Sequence, residues 1–107
     1  MKTVDIRELV RFSDEEPRRS ALMDGERLWS EVVCLQGSQG VGPLRGERSD
    51  GLVVILSGEV AAQVGRGRAR MKQWEAIAVP AGEELTVRNA SDDPAVVLLV
   101  VAPPPGR

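Results

Sequence analysis

The sequence predicts a single all-β domain built from short antiparallel strands. Short apolar runs alternate with polar intervals rich in Gly, Pro, Asp and Asn, the pattern of strands separated by turns. No stretch keeps a helical period over the length of an ordinary helix. About nine such runs at even spacing favour a sandwich or a barrel. The chain has 107 residues, which suits one domain.

The order of strands and turns follows from these runs. Asp24 and Gly25 lie between two apolar runs and predict a hairpin, because glycine adopts a positive φ at low cost. The predicted strands cover residues 20–23, 27–29 continuing through 31–35, 44–47, 52–56, 59–64, 69–73, 76–79, 85–88 and 95–102. The predicted turns and loops cover residues 37–43, 49–51, 57–58, 66–67, 80–82 and 89–94. Three prolines at 103–105 must end the last strand, since proline donates no ladder hydrogen bond.

Three segments result: an N-terminal segment at 1–17, the strand-rich domain at 18–103 and a tail at 104–107. Residues 6–12 fit either one helical turn or an edge strand, and both remain open. The N-terminal segment carries five apolar side chains that need covering: Val4, Ile6, Leu9, Val10 and Phe12. An intermolecular strand would cover them, so the segment is a candidate for exchange between two protomers.

Charge and composition exclude several classes of partner. The net charge is −2 and no basic stripe is present, which argues against nucleic acid. Arg66, Arg68 and Arg70 alternate at the spacing of two that places residues on one face of a strand. We interpret them as a charged outer face that discourages edge pairing rather than as a phosphate site. No apolar run is long enough to span a membrane, and no signal peptide is visible, so we expect a cytoplasmic protein.

The residue types that are missing narrow the chemistry further. The chain contains no His and no Tyr, and lysine occurs only at Lys2 and Lys72. It therefore lacks the commonest metal ligand and the commonest general acid–base residue. Cys34 is the only cysteine, so no disulfide forms within the chain, and we expect a buried, inert thiol.

At two places the sequence resembles the cupin family. The family's first motif, G-x5-H-x-H-x3-E-x6-G, aligns with residues 39–58, and its second, G-x5-P-x-G-x2-H-x3-N, aligns with residues 74–89. The fixed closing and turn positions of the motifs are kept by Gly58, Pro80, Gly82 and Asn89. Gln39 and Trp74 stand where the motifs open with glycine. The resemblance implies a single cupin-type jelly-roll β-barrel over residues 18–103. Since asparagine side chains commonly hydrogen-bond to loop backbone, we expect Asn89 to hold a loop in this way.

The metal-binding positions of the family are replaced in this chain. In the family, two histidines, a glutamate and a third histidine bind one metal, and carried over position by position these are Arg45, Glu47, Gly51 and Leu85. Only Glu47 could ligate a metal, whereas zinc and iron sites need three or four convergent ligands. We therefore expect no metal and no cofactor.

The strand period of two predicts which side chains face the position where the family binds its metal. If the family geometry holds, the side chains of Glu83, Leu85 and Val87 share one inward face. The candidate pocket residues facing inward are Arg45, Glu47, Gly51, Val53, Ile55, Leu85 and Val87. For Arg45 and Glu47 we favour a structural ion pair or two solvated residues at the mouth of the barrel. The alternative is an anion clamp in which Arg45 binds a carboxylate. Trp29 and Trp74 fit core or interface packing, which we favour, or a wall on which a ligand stacks.

Three functions follow, and no motif identifies a substrate. We favour a non-enzymatic, metal-free domain that binds a small molecule or acts structurally. The alternative is a metal-independent isomerase, epimerase or cyclase in which Glu47 is the base and Arg45 stabilises an oxyanion. A metal-dependent dioxygenase with atypical ligands is the remote third. Small cupins are commonly homodimers, so the resemblance also implies a homodimer, and an anionic small molecule is a candidate ligand.

Overall fold

The computed structural model describes residues 1–105, and almost all of its regular structure is strand. One 3-10 helix, Ile6–Leu9, precedes nine strands: β1 (Arg18–Asp24), β2 (Trp29–Leu35), β3 (Gly40–Arg45), β4 (Asp50–Ser57), β5 (Glu59–Val64), β6 (Gly67–Lys72), β7 (Ala76–Val79), β8 (Glu84–Arg88) and β9 (Ala95–Ala102). A five-stranded sheet has the order β1-β2-β9-β4-β7, and a four-stranded sheet the order β3-β8-β5-β6. Neighbouring strands in both sheets are antiparallel. The predicted all-β jelly-roll is confirmed, as two facing sheets rather than one continuous closed sheet.

Most predicted elements agree with the structure, and the stretch from residue 37 to residue 51 does not. Residues 40–43, predicted as loop, form the first part of β3. The ladder between β3 and β8 skips Gly42 and Pro43, a bulge that lets a strand contain a positive-φ glycine and a proline. The turn predicted at 49–51 lies at residues 46–49 instead, and β4 begins at Asp50. Residues 6–12, left open between a turn and a strand, contain one short helix.

The main core lies between the two sheets and consists of aliphatic side chains. Its most deeply buried members are Val33, Leu35, Val53, Ile55, Val60 and Ala95. Every residue of β2 after Trp29 is buried, on both faces of the strand. The second face of β2 forms a smaller cluster, in which Val32, Cys34 and Val96 contact Ile6, Leu9, Val10 and Phe12. The N-terminal segment thus covers part of the outer face of its own sheet, which explains why β2 is buried on both faces.

The loop before β9 is fixed by Asn89, whose side chain is fully buried. Its Nδ2 donates to the carbonyl oxygens of Leu35, at 3.1 Å, and Asp93, at 2.6 Å. Its Oδ1 accepts hydrogen bonds from the backbone N–H and the hydroxyl of Ser91. The predicted role of Asn89 as a loop anchor is confirmed. Among residues 1–105, no helix is long and apolar enough to cross a membrane.

Candidate functional site

A cavity of about 160 Å³ opens at one end of the sandwich, and we call it the mouth cavity. The same end is reached by the starts of β2, β4 and β8 and by the ends of β3, β7 and β9. Six apolar side chains form most of its wall: Leu44, Val79, Leu85, Leu99, Val101 and Trp29. Pro105 also lines it, next to the fully buried Pro104. The predicted tail at 104–107 therefore begins against the fold, and its last two residues lie outside the described range.

Gly51 leaves room in the floor of the cavity. It pairs with Val101 on β9 and with Val79 on β7, both of which line the cavity. A Cβ at this position would lie 3.3 Å from the Cβ of Val79, so a larger residue would press on the cavity wall. Ser49, just before β4, is buried, and its hydroxyl donates to the carbonyl oxygen of Pro103 at 2.6 Å. This bond holds the chain after β9 against the rim of the mouth cavity.

A partly buried ion pair joins Arg19, which lines the cavity, to Glu31 on the neighbouring strand. Trp29, Glu31, Val33 and Leu35 alternate along β2, and all but Glu31 belong to or pack against the main core. The side chain of Glu31 is only 6% exposed. Its Oε1 accepts from Nε of Arg19 at 2.8 Å and from Nη2 at 2.5 Å. Burying an unpaired carboxylate costs free energy, so Glu31 needs Arg19 as a partner at this position. The ion pair therefore links β1 to β2 in addition to their backbone hydrogen bonds.

Arg19 and Glu31 were absent from the residues predicted for the site. Arg19 lines the mouth cavity, and Glu31 lies on the neighbouring strand. The sequence contained a signal for this pair, because a glutamate at an inward position of a strand, such as Glu31, indicates a cationic partner nearby. Glu83, predicted to share the inward face of Leu85 and Val87 but not included among the pocket candidates, also lines the cavity. Its carboxylate lies against Gly65, where a Cβ would collide with it.

Arg45 and Glu47 are arranged differently from the prediction that they share an inward face. Leu44 pairs with Leu85 on the core side, so the next residue, Arg45, pairs with Glu84 on the outer side and lines the mouth cavity only at its rim. Glu47 lies in the turn after β3 and does not line the cavity. Nε of Arg45 contacts Oε1 of Glu47 at 2.9 Å, with 50% and 72% of the two side chains exposed. The bulge in β3 shifts the inside–outside alternation by one residue, which is why the prediction fails here.

This geometry weakens the enzymatic alternative. A base must lie within hydrogen-bond reach of its substrate, and Glu47 is a mostly exposed side chain outside the mouth cavity. An exposed pair of this kind contributes about 0–1 kcal/mol to stability.

The nine predicted pocket residues divide into three groups. The mouth cavity is lined by four of them, namely Trp29, Arg45, Gly51 and Leu85. Below the cavity, three belong to the main core, namely Val53, Ile55 and Val87. Glu47 and Trp74 lie outside both, and Trp74 is 75% exposed with a φ of 75° in the turn before β7. Trp74 therefore neither packs in the core of this chain nor forms a wall of the cavity, and whether any of the nine contacts a ligand stays a prediction.

The residues around the cavity do not fit the metal that cupin proteins commonly bind. The side chains of Leu44, Gly51 and Leu85 have no atom that could ligate a metal, and Arg45 is a permanent cation that would repel one. Glu31 already accepts two hydrogen bonds from Arg19. Within residues 1–105, no group of three or more Cys, Asp or Glu side chains is placed to hold a metal ion. No reaction step through a metal can be assigned to these residues.

Comparison with known proteins agrees with the two motifs. The family model described as "Cupin domain" matches residues 31–101, about two thirds of the chain and most of the strands described above. The chain belongs to the cupin family. Among curated proteins, none matches the sequence significantly.

Several solved structures are similar to nearly the whole chain. The TT1209 protein of Thermus thermophilus is 32% identical, with a TM-score of 0.93 over 98% of this chain and 100% of that one. A conserved double-stranded β-helix protein of Klebsiella pneumoniae is 22% identical, with a TM-score of 0.88 over 96% and 90%. An RmlC-like cupin of Desulfovibrio desulfuricans is 22% identical, with a TM-score of 0.83 over 97% and 98%. The latter two likenesses show the fold alone.

Proposed function

We propose that this cupin is a non-enzymatic domain that binds a small organic molecule in the mouth cavity without a metal. The observation that carries the proposal is the make-up of that cavity in the described part of the chain: an apolar wall, a polar rim and no metal-ligating set at the positions used by the family. Ligand pockets commonly combine an apolar lining with a few polar groups that orient the ligand. The cavity is small, so the ligand is no larger than a single ring or a short chain.

The rim favours a ligand with a carboxylate group. Arg19 and Arg45 are cationic side chains that line the cavity. Arg19 uses Nε and Nη2 for Glu31, which leaves the donors of Nη1 for a ligand. Arg45 uses Nε for Glu47 and lies 4.0 Å from Glu84 through Nη1, so part of its donor capacity is also free. A guanidinium can bind a carboxylate by two parallel hydrogen bonds.

Benzoate and its uncharged amide, benzamide, form a matched pair of probes for this cavity. Benzoate should raise the melting temperature more than benzamide does, because only benzoate brings a negative charge to Arg19. Arg19→Gln should abolish the difference between the two probes. Arg18→Gln is the control, since Arg18 is exposed and pairs with Cys34 on the other face of β2. The proposal fails if neither probe stabilises the protein at millimolar concentration, or if Arg18→Gln and Arg19→Gln behave alike.

We also propose that the protein is a homodimer, through the outer face of the five-stranded sheet. Leu52 lies opposite Val100 and Val54 opposite Leu98 on that face, and none of these residues is charged. Leu52 is 41% exposed. A two-fold interface brings the same patch from both protomers together, which an uncharged apolar patch permits without repulsion.

Light scattering on the wild type and on two charge variants tests the homodimer. Leu52→Glu should convert the dimer into a monomer, whereas Leu28→Glu should not. Leu28 is a matched control because it is 38% exposed and lies in the hairpin between β1 and β2. A monomeric wild type at micromolar concentration would contradict the dimer, and so would a dimeric Leu52→Glu variant.

A further inference from the structure

Three arginines surround a hollow on the outer face of the four-stranded sheet, away from the mouth cavity. Arg68 and Arg70 lie on β6 and Arg88 lies on β8. Together with Ala61, Gln63 and Thr86 they line a shallow depression with a volume of about 450 Å³, which we call the basic hollow. Arg66 lies in the turn before β6, so of the three alternating arginines in the sequence only Arg68 and Arg70 belong to it.

The register of the sheet explains why the surface is concave. Arg70 and Arg88 both pair with Ala61, one from each side, so a small residue lies between two long ones. In the next row, Gln63 lies between Arg68 and Thr86. Two strand spacings separate Arg70 from Arg88, about 10 Å between their Cα atoms. Guanidinium groups on side chains of this length can reach a common ligand above Ala61.

The charges of the hollow are poorly compensated within the chain. Arg70 has one partner, Glu59, at 3.4 Å between Nη1 and Oε1. In the described part of the chain, Arg68 and Arg88 form no ion pair. Like charges that neighbour each other on one face of a sheet are destabilising. This concentration of cations stands out because the whole chain carries a net charge of −2.

Protection of a sheet edge accounts for only part of this arrangement. β6 is an edge strand, and charged side chains there discourage pairing with another chain. Arg88, however, lies on β8, which is paired on both sides, by β3 and by β5. An arginine on an interior strand does nothing for the edge. Its convergence with Arg68 and Arg70 around Ala61 needs another explanation.

We propose that the basic hollow is a second ligand site, which binds the phosphoryl group of a small molecule. A multiply charged phosphoryl group can accept hydrogen bonds from several guanidiniums at once, and arginine suits it better than lysine does. Thr86 and Gln63 add uncharged polar groups beside the arginines. The hollow spans only three strands, which is too short a cationic track for a nucleic acid in an acidic protein.

Calorimetric titration with inorganic pyrophosphate tests this site, with acetate as a singly charged comparison. Wild-type protein should bind pyrophosphate and bind acetate far more weakly. Arg88→Gln should weaken pyrophosphate binding by about tenfold or more, the loss of one charge-assisted hydrogen bond. Ala61→Leu keeps every charge but fills the floor, and it should weaken binding to a similar extent. Arg48→Gln removes an exposed arginine from the β3–β4 turn and should leave binding within about twofold of wild type.

Three outcomes would overturn the proposal. Wild type could fail to bind pyrophosphate at millimolar concentration. Ala61→Leu could bind as tightly as wild type, which would leave only a diffuse attraction to positive charge. Arg48→Gln could weaken binding as much as Arg88→Gln, with the same meaning. Because Ala61 and Arg88 lie on the outer face of the sheet, circular dichroism of the variants should match wild type and confirm that each is folded.

Discussion

The Arg19–Glu31 pair should respond asymmetrically when each partner is neutralised. The side chain of Glu31 is 6% exposed, whereas that of Arg19 is 41% exposed. Arg19→Gln leaves a carboxylate with little access to water, and breaking a fully buried pair in this way costs about 3–5 kcal/mol. Since Arg19 itself is partly solvated, we expect about 2–3 kcal/mol here. Glu31→Gln leaves a cation that can reach water, so we expect about 0.5–1 kcal/mol.

Urea unfolding of the wild type and these variants measures this difference. In thermal unfolding, a domain of this size should show a drop in melting temperature of about 10 °C for Arg19→Gln and about 3 °C for Glu31→Gln. The double variant Arg19→Gln/Glu31→Gln should recover most of the stability lost in Arg19→Gln, because no unpaired charge remains. Arg45→Gln is the control and should cost about 0–1 kcal/mol, because its pair is exposed. A Glu31→Gln variant that is destabilised as much as Arg19→Gln would refute the reasoning from burial.

Three further predictions concern the core and the loops. Asn89→Ala removes four hydrogen bonds and should destabilise by about 2–3 kcal/mol in urea unfolding, and a loss below about 1 kcal/mol would contradict the anchoring role. Ile55→Ala should cost about 2–5 kcal/mol, since Ile55 is fully buried, and a smaller loss would show that the core collapses around the gap. Cys34 is 1% exposed and burial raises the pKa of its thiol, so a thiol reagent at about pH 8 should label it only after denaturation; rapid labelling of the native protein would contradict this.

Sequence reasoning was sufficient for the fold because strands of this protein are bounded by strong local signals. Residues 59–64, 76–79 and 95–102 were predicted with the limits that the structure has. Each is an apolar run ended by glycine or proline, which leaves little freedom in where the strand stops. The stretch around Gly42 and Pro43 was predicted as loop, because both residues are unfavourable in a regular ladder. A bulge accommodates them, and bulges depend on the partner strand, which a local pattern does not contain.

The candidate site was predicted less well, for a related reason. A shift of one residue in register exchanges the two faces of a strand. Because of the bulge in β3, Leu44 faces the core where the regular alternation had predicted Arg45. Arg19 was missed because its importance depends on Glu31, a residue from another strand. The basic hollow likewise joins β6 to β8 through β5. Pairings between strands distant in sequence are therefore the part of the site that only the structure reveals.

Native mass spectrometry tests the central claim, ligand binding without a metal, most directly. The protein should be purified without a metal-affinity tag and measured before and after incubation with equimolar Zn²⁺ or Fe²⁺ and with benzoate. The account predicts no stoichiometric metal adduct in either case, and a benzoate adduct that Arg19→Gln loses and Arg18→Gln keeps. A stoichiometric metal adduct that a chelator removes would contradict the account, because residues 1–105 offer no set of Cys, Asp or Glu side chains to hold the ion.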